Sequence, residues 1–279
     1  MSILHAHHGA EDVARKTPLP KAGGERGVWA AGIAVFAATV AGVWYSCRLM
    51  PDDHPMHMPG GWTMSCMWMD MPGKRVAMAA MFLGMWTTMM IAMMLPSSLP
   101  ILLIYRRAVM FRRDLHANQS TALLAAGYFA VWTLFGAIAY AIGLLAADAT
   151  MKWDSLSRAV PILSGITLIV CGIYQFTGWK TACLKHCRDP LLLIAGHLQG
   201  GRLGAIRLGL CHGAACAVCC ASLMVMELIL GIMNIPLMVA VALVIAMEKL
   251  LPWGNWVARV VGVAGIVGGI AIAVSGRGI

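Results

Sequence analysis

Apolar runs of roughly membrane-spanning length alternate along the chain with short segments in which basic residues cluster. A bilayer core needs about 20 apolar residues per helix. Seven segments reach or approach that length: Val28–Ser46, Val76–Tyr105, Thr121–Ala147, Val160–Phe176, Leu208–Ile232, Pro236–Leu251 and Val257–Val274. The pattern predicts an all-α, polytopic transmembrane helix bundle of about seven spans. The fourth and sixth are short, and the second is interrupted by Pro96 and Pro100 in the stretch LPSSLP. Each proline removes a backbone hydrogen bond and predicts a kink there.

Residues 1–27, with His5, His7 and His8, are polar and punctuated by Pro and Gly, and read as a disordered cytoplasmic tail. Residues 28–279 are expected to form a single transmembrane domain with a Met/His-rich outer loop at 47–75. The first apolar run is longer than a usual signal-peptide core and lacks a small-x-small cleavage site, so it reads as an uncleaved span.

Composition sharpens this picture. The chain is 60% hydrophobic and 12% charged, about half the charge usual in soluble domains. Its net charge is +9, from 21 Lys+Arg and 12 Asp+Glu. With the N-terminus cytoplasmic, fifteen of the 21 basic residues fall on the inner side, which favours that orientation for a multi-pass membrane protein. The basic clusters between apolar runs suit contact with the lipid bilayer and its headgroups; no nucleic acid partner is expected.

Fourteen of the 22 methionines lie between Met50 and Met94. In the loop, Pro and Gly forbid a regular helix, and Met56, Met58, Met64, Met67, Met69 and Met71 interleave with His54, His57 and Cys66. Thioethers select Cu(I), and imidazole also suits copper, whereas calcium prefers oxygen ligands. The run continues into the second span. At 100° per residue, Met78, Met81, Met85, Met89 and Met93 fall at about 0°, 300°, 340°, 20° and 60°, one stripe roughly 22 Å long. A ladder of weak ligands suits ion passage; the alternative is helix packing by a pliable side chain, and continuity with the loop keeps these five methionines as candidate metal ligands.

The fifth span opens GLCHGAACAVCCASLMVMELILG. On a helix, His212, Cys216, Cys219 and Cys220 share one face at about 0°, 40°, 340° and 80°, with Met226 and Glu227 also on that side. Ionisable groups within a span usually face the bundle interior. The preceding inner loop adds Cys183, His186 and Cys187 in KTACLKHCRDP. Glu248 and Lys249, in MEKLLPWG, are explained by a mutual or inter-helix ion pair.

The stretches MMIAMMLPSSLPILLIY (Met89–Tyr105), YQFTGWKTACLKHCRDP (Tyr174–Pro190) and CAVCCASLM (Cys216–Met224), followed by GIMNIPLMV and MEKLLP, make the chain resemble a bacterial family. This is the family of predicted metal-binding integral membrane proteins, the domain of unknown function numbered 2182. The resemblance implies metal binding in a membrane, and some members are labelled copper chaperones. Of the family's C-x-G-C-C-W-x-L-M run the chain keeps Cys216, Cys219, Cys220, Leu223 and Met224. It carries Val218 and Ala221 at the usual Gly and Trp positions.

The expected function is therefore binding and handling of copper as Cu(I), with delivery or translocation through Met/His and Cys ligands and a copper-accepting or copper-donating protein as partner. Two other classes remain. One is a membrane thiol–disulfide oxidoreductase using Cys47/Cys66 with Cys216/Cys219 or Cys183/Cys187. The other is a structural or assembly subunit of a membrane complex. No H-E-x-x-H stretch or Ser–His–Asp arrangement points to a hydrolase.

Overall fold

The structure, a computed structural model, describes residues 23–49, 56–64, 75–111, 116–189, 194, 201–231 and 234–275. Among them are eight helices: α1 (Gly23–Leu49), α2 (Arg75–Phe111), α3 (Ala117–Lys152), α4 (Asp154–Tyr174), α5 (Gly178–Arg188), α6 (Gly201–Leu230), α7 (Ile235–Leu250) and α8 (Gly254–Ser275). The fold is all-α; its sheet content among the described residues is one antiparallel hairpin, β1 (Met56–His57) and β2 (Thr63–Met64). Six helices, all but α5 and α7, are long and apolar enough to cross a membrane. The expected sixth span is α7, whose 16 residues extend about 24 Å, short of a hydrocarbon core of about 30 Å.

Local chemistry explains where the elements depart from the apolar pattern. α2 continues for 37 residues through Pro96 and Pro100. Both prolines are exposed, and the hydroxyls of Ser97 and Ser98 donate to the carbonyls of Met94 (3.0 Å) and Leu95 (3.2 Å) in the same turn. α4 begins six residues before the apolar run suggests, with Asp154 in its first turn, where a carboxylate complements the helix dipole. α5 lies in the segment expected as a polar inner loop. Thr177 caps it by accepting from the Lys180 amide, and Lys180, Cys183, Leu184 and Cys187 recur at the helical spacing of one face.

Close backbone contacts set the bundle. α3 packs most extensively on α6 and α4 on α8. A Cβ on Gly209 would collide with the Leu124 carbonyl of α3, and one on Gly213 would lie 2.9 Å from the Tyr128 carbonyl. Small residues let helix backbones approach closely. This contact brings the Cys216 turn of α6 against Tyr128.

The main core joins Phe82, Trp86, Met89, Met90, Met93 and Met94 of α2, Tyr128, Trp132 and Tyr140 of α3, and Cys216, Cys219, Cys220, Leu223 and Met224 of α6. Its aromatic part is layered: Phe82 stacks on Trp86, Trp86 on Phe135, and the Trp86 indole donates to the Trp132 carbonyl at 2.9 Å. A smaller cluster holds the second halves of α2's apolar face, with Ile101, Leu102 and Tyr105, against Leu124, Ala205 and Leu208.

Candidate metal centre

Cys216, Cys219 and Cys220 occupy the middle of α6, all essentially buried. Their i, i+3, i+4 spacing puts them on one helix face, and the three sulfurs lie within 4.8 Å of one another. The Cys219 and Cys220 sulfurs are 3.4 Å apart, and the Cys187 sulfur, from α5, stands 3.8 Å from that of Cys219. Thiolates sharing one ion at a bond length of about 2.3 Å stand about 3.8–4.0 Å apart in tetrahedral or trigonal arrangements. The donor set has the spacing and softness for a thiophilic ion such as Cu(I). The seven cysteines described with side chains are all free thiols.

Charge is arranged around this group. Lys249, near the end of α7, brings its ammonium 2.8 Å from the Cys216 sulfur, 3.4 Å from the Ser97 hydroxyl and 4.0 Å from the Met94 sulfur. The Tyr128 hydroxyl is 2.9 Å from the same Cys216 sulfur. The metal ligand is the thiolate rather than the thiol. Three thiolates around a monovalent ion carry a net charge of about −2, which Lys249 offsets in part within an apolar core.

The remaining predicted residues divide. His212 does not join the compact thiol group. Its ring stacks on Tyr128 with centroids 5.4 Å apart, and its Nδ1 has no hydrogen-bond partner among the described residues. Cys183 is half-buried against the main core. The methionine stripe of α2 does not keep one environment: Met81 is exposed, Met78 and Met85 are half-buried, and Met89 and Met93 are buried in the core beside Met90 and Met94.

In the hairpin, Met58 and Met64 bury against Ala147 with Trp62 packed on them, while His57 is exposed. Met56 pairs with Met64 in register. His54, Cys66, Met67, Met69 and Met71 lie outside the described residues, as does the side chain of Cys47 in the Cys47/Cys66 pairing.

Several residues that bond to the thiols or lie near them were not picked out by the sequence pattern. Glu248 does form an inter-helix pair, but with Lys180 of α5 at 2.9 Å, while Lys249 turns to the thiols. Lys180 looks like one more inner basic residue until its position on the buried face of α5, in phase with Cys183 and Cys187, is considered. Tyr128 carries no such signal. Val218, at the usual glycine position, is exposed on the far side of α6, so the departure there leaves the thiols together.

A helical bundle with a sulfur-rich core and several membrane-length helices fits a protein that handles a soft metal. The sequence matches the PpoB2 copper chaperone family over residues 83–272, and the chain belongs to that family. The matched region includes the α2 methionines from Met85 onward, Cys187, all three α6 thiols and Lys249. No curated protein and no solved structure matches the chain significantly.

Proposed function

We propose that this protein is a multi-pass membrane copper chaperone that holds Cu(I) on Cys216, Cys219 and Cys220 and exchanges it with a partner copper protein. The observation that carries the reading is the convergence of three buried thiols with the Lys249 ammonium at one of them. Membership of a copper chaperone family supports the identity of the cargo. Cys187 is the proposed fourth sulfur, and His212, one turn from Cys216, a proposed transfer ligand.

Membrane placement is supported by six long apolar helices and by exposed tryptophans. Trp153 precedes α4, while Trp179 follows it and Trp253 and Trp256 flank the start of α8. Tryptophan concentrates at both bilayer interfaces. The 21 residues of α4 extend about 31 Å, matching a hydrocarbon core of about 30 Å. The basic-residue asymmetry supports a cytoplasmic N-terminus, and the motifs shared with a bacterial membrane family support the bacterial inner membrane as the location.

The Met/His set of the outer loop (His54, Met56, His57, Met58, Met64, Cys66, Met67, Met69 and Met71) is the proposed capture region, with Met78, Met81, Met85, Met89 and Met93 as relay ligands. Between Met81 and the thiols the core is filled by Phe82, Trp86 and Trp132. That filling favours holding and hand-over above an open conduit.

The test is elemental analysis of protein purified from membranes under reducing conditions, followed by Cu(I) competition titration. One copper per chain, lost when Cys216, Cys219 and Cys220 are changed to Ser, is expected. Unchanged copper content in that variant would remove the α6 thiols from the proposal.

A further inference from the structure

Lys180 is 1% exposed and Glu248 also 1%. Their side chains meet at 2.9 Å, joining α5 to α7. The ammonium also donates to the Gln175 amide oxygen, and the Gln175 amide nitrogen donates to the Ser222 hydroxyl at 3.2 Å. Ser222 lies about one turn beyond Cys219 (i, i+3) on α6, so one buried polar network links the end of α4, α5, α6 and α7 beside the thiol cluster.

Two dipeptides interlock in this network. In Cys187–Arg188, the thiol meets Cys219 and the guanidinium donates to the Glu248 carbonyl, with Nε at 2.9 Å. That carbonyl belongs to the last turn of α7, where helix carbonyls lack intrahelical partners. In Glu248–Lys249, the carboxylate holds Lys180 and the ammonium reaches Cys216. Gly254 makes the arrangement possible: a Cβ there would meet the Arg188 guanidinium and lie 2.7 Å from the Glu248 Cα.

Replacing a buried ion pair by a well-packed apolar pair is often neutral or stabilising, whereas removing one partner leaves a costly lone charge. Its contribution is therefore to fix where α5 sits, because the pair is satisfied in one arrangement. We propose that Lys180 and Glu248 are positioning residues for the metal site: their pair docks α5 so that Cys187 reaches the α6 thiols as a fourth sulfur. The neighbouring Lys249 ties that docking to the charge of the cluster. The proposal rests on the thiol site described above and adds how its fourth ligand is brought in and released.

The experiment uses the full chain in lipid nanodiscs. Maleimide alkylation of Cys187 is followed by peptide mass spectrometry, with the same peptide from denatured protein as the full-labelling reference. In metal-free protein, Lys180→Met and Glu248→Gln are expected to speed Cys187 alkylation at least about tenfold over wild type, and Lys180→Arg to leave it near wild type. With Cu(I) bound, X-ray absorption is expected to count one sulfur fewer in Cys187→Ser than in wild type, with Lys180→Met resembling Cys187→Ser.

Unchanged Cys187 alkylation in both pair variants would overturn the proposal. So would equal sulfur counts in wild type and Cys187→Ser, or exposure of Cys216, Cys219 and Cys220 in step with Cys187. Should Lys180→Met not fold, the near-isosteric Glu248→Gln carries the measurement. If wild type takes up no Cu(I), the copper reading fails by itself, and the metal-free alkylation rates still judge the docking of α5.

Discussion

Two sulfur-rich regions of this molecule behave differently. The middle of α6 gathers Cys216, Cys219 and Cys220 within 4.8 Å and adds Cys187 from a second helix. The hairpin at Met56–Met64 has more sulfur per residue than most of the chain, yet Met58 and Met64 turn into a small apolar cluster against Ala147. A rigid helix repeats its face every three to four residues, so i, i+3, i+4 ligands converge without help. A short hairpin packs whichever face meets the bundle, and Met58 and Met64 serve that contact. Density of soft ligands in the sequence is thus weaker than convergence in space.

The largest effect that tests this contrast falls on the thiols. Changing Cys216, Cys219 and Cys220 together to Ser is expected to weaken Cu(I) binding at least about a thousandfold, roughly 4 kcal/mol, measured by competition with a Cu(I) chelator. A loss of less than tenfold would return the hairpin and its loop to first place.

Next comes the backbone contact that aims the cluster. A Cβ at Gly209 would collide with the Leu124 carbonyl of α3. Gly209→Ala is expected to cost about 1–3 kcal/mol through overpacking, read as a lower thermal midpoint. It is also expected to reduce Cu(I) affinity, since Tyr128 and Cys216 meet across the same contact. Normal stability with normal affinity would show that the close approach of α3 and α6 does not set the site.

A smaller effect is expected at the hairpin. Met58 and Met64 are buried at 8% and 4% exposure, and a Met→Leu exchange conserves volume. The double Met58→Leu, Met64→Leu variant is expected to cost under about 1.5 kcal/mol. It should leave the Cu(I) affinity of the α6 site unchanged. A drop in that affinity would link the two regions and contradict their separation.

What the sequence made legible follows from periodicity. The all-α fold, the long apolar helices and the shared face of Cys216, Cys219 and Cys220 all come from 3.6-residue repetition, which needs no tertiary knowledge. The methionine stripe shows the limit. Counting methionines alone centres the face of α2 near Met78, but the buried line runs through Phe82, Trp86, Met90 and Met94, about 100° around the helix. The largest side chains claim the most buried line, and the stripe drifts to the surface at Met81. Lys180 was hidden for a related reason: a lysine is rarely buried without a partner, and its partner, Glu248, lies 68 residues away. Pairings of that separation depend on how helices pack, which a single sequence does not encode locally.

The smallest effect concerns what holds the hairpin to the bundle. Ser157 is fully buried in the first turn of α4. Its hydroxyl donates to the Pro59 carbonyl at 2.7 Å, and its own carbonyl accepts from the Trp62 indole at 2.9 Å. The turn comes close enough that a Cβ on Gly60, whose φ is 113°, would lie 2.9 Å from that carbonyl. Ser157→Ala removes one donor from this three-point seat and keeps the indole bond, so the cost is about 1 kcal/mol. Hydrogen exchange across residues 56–64 is expected to quicken, while copper content and the exchange of α6 stay as in wild type. If α6 were to loosen as well, the hairpin would be part of the metal centre's support, and the contrast between the two sulfur-rich regions would be one of ligand geometry alone.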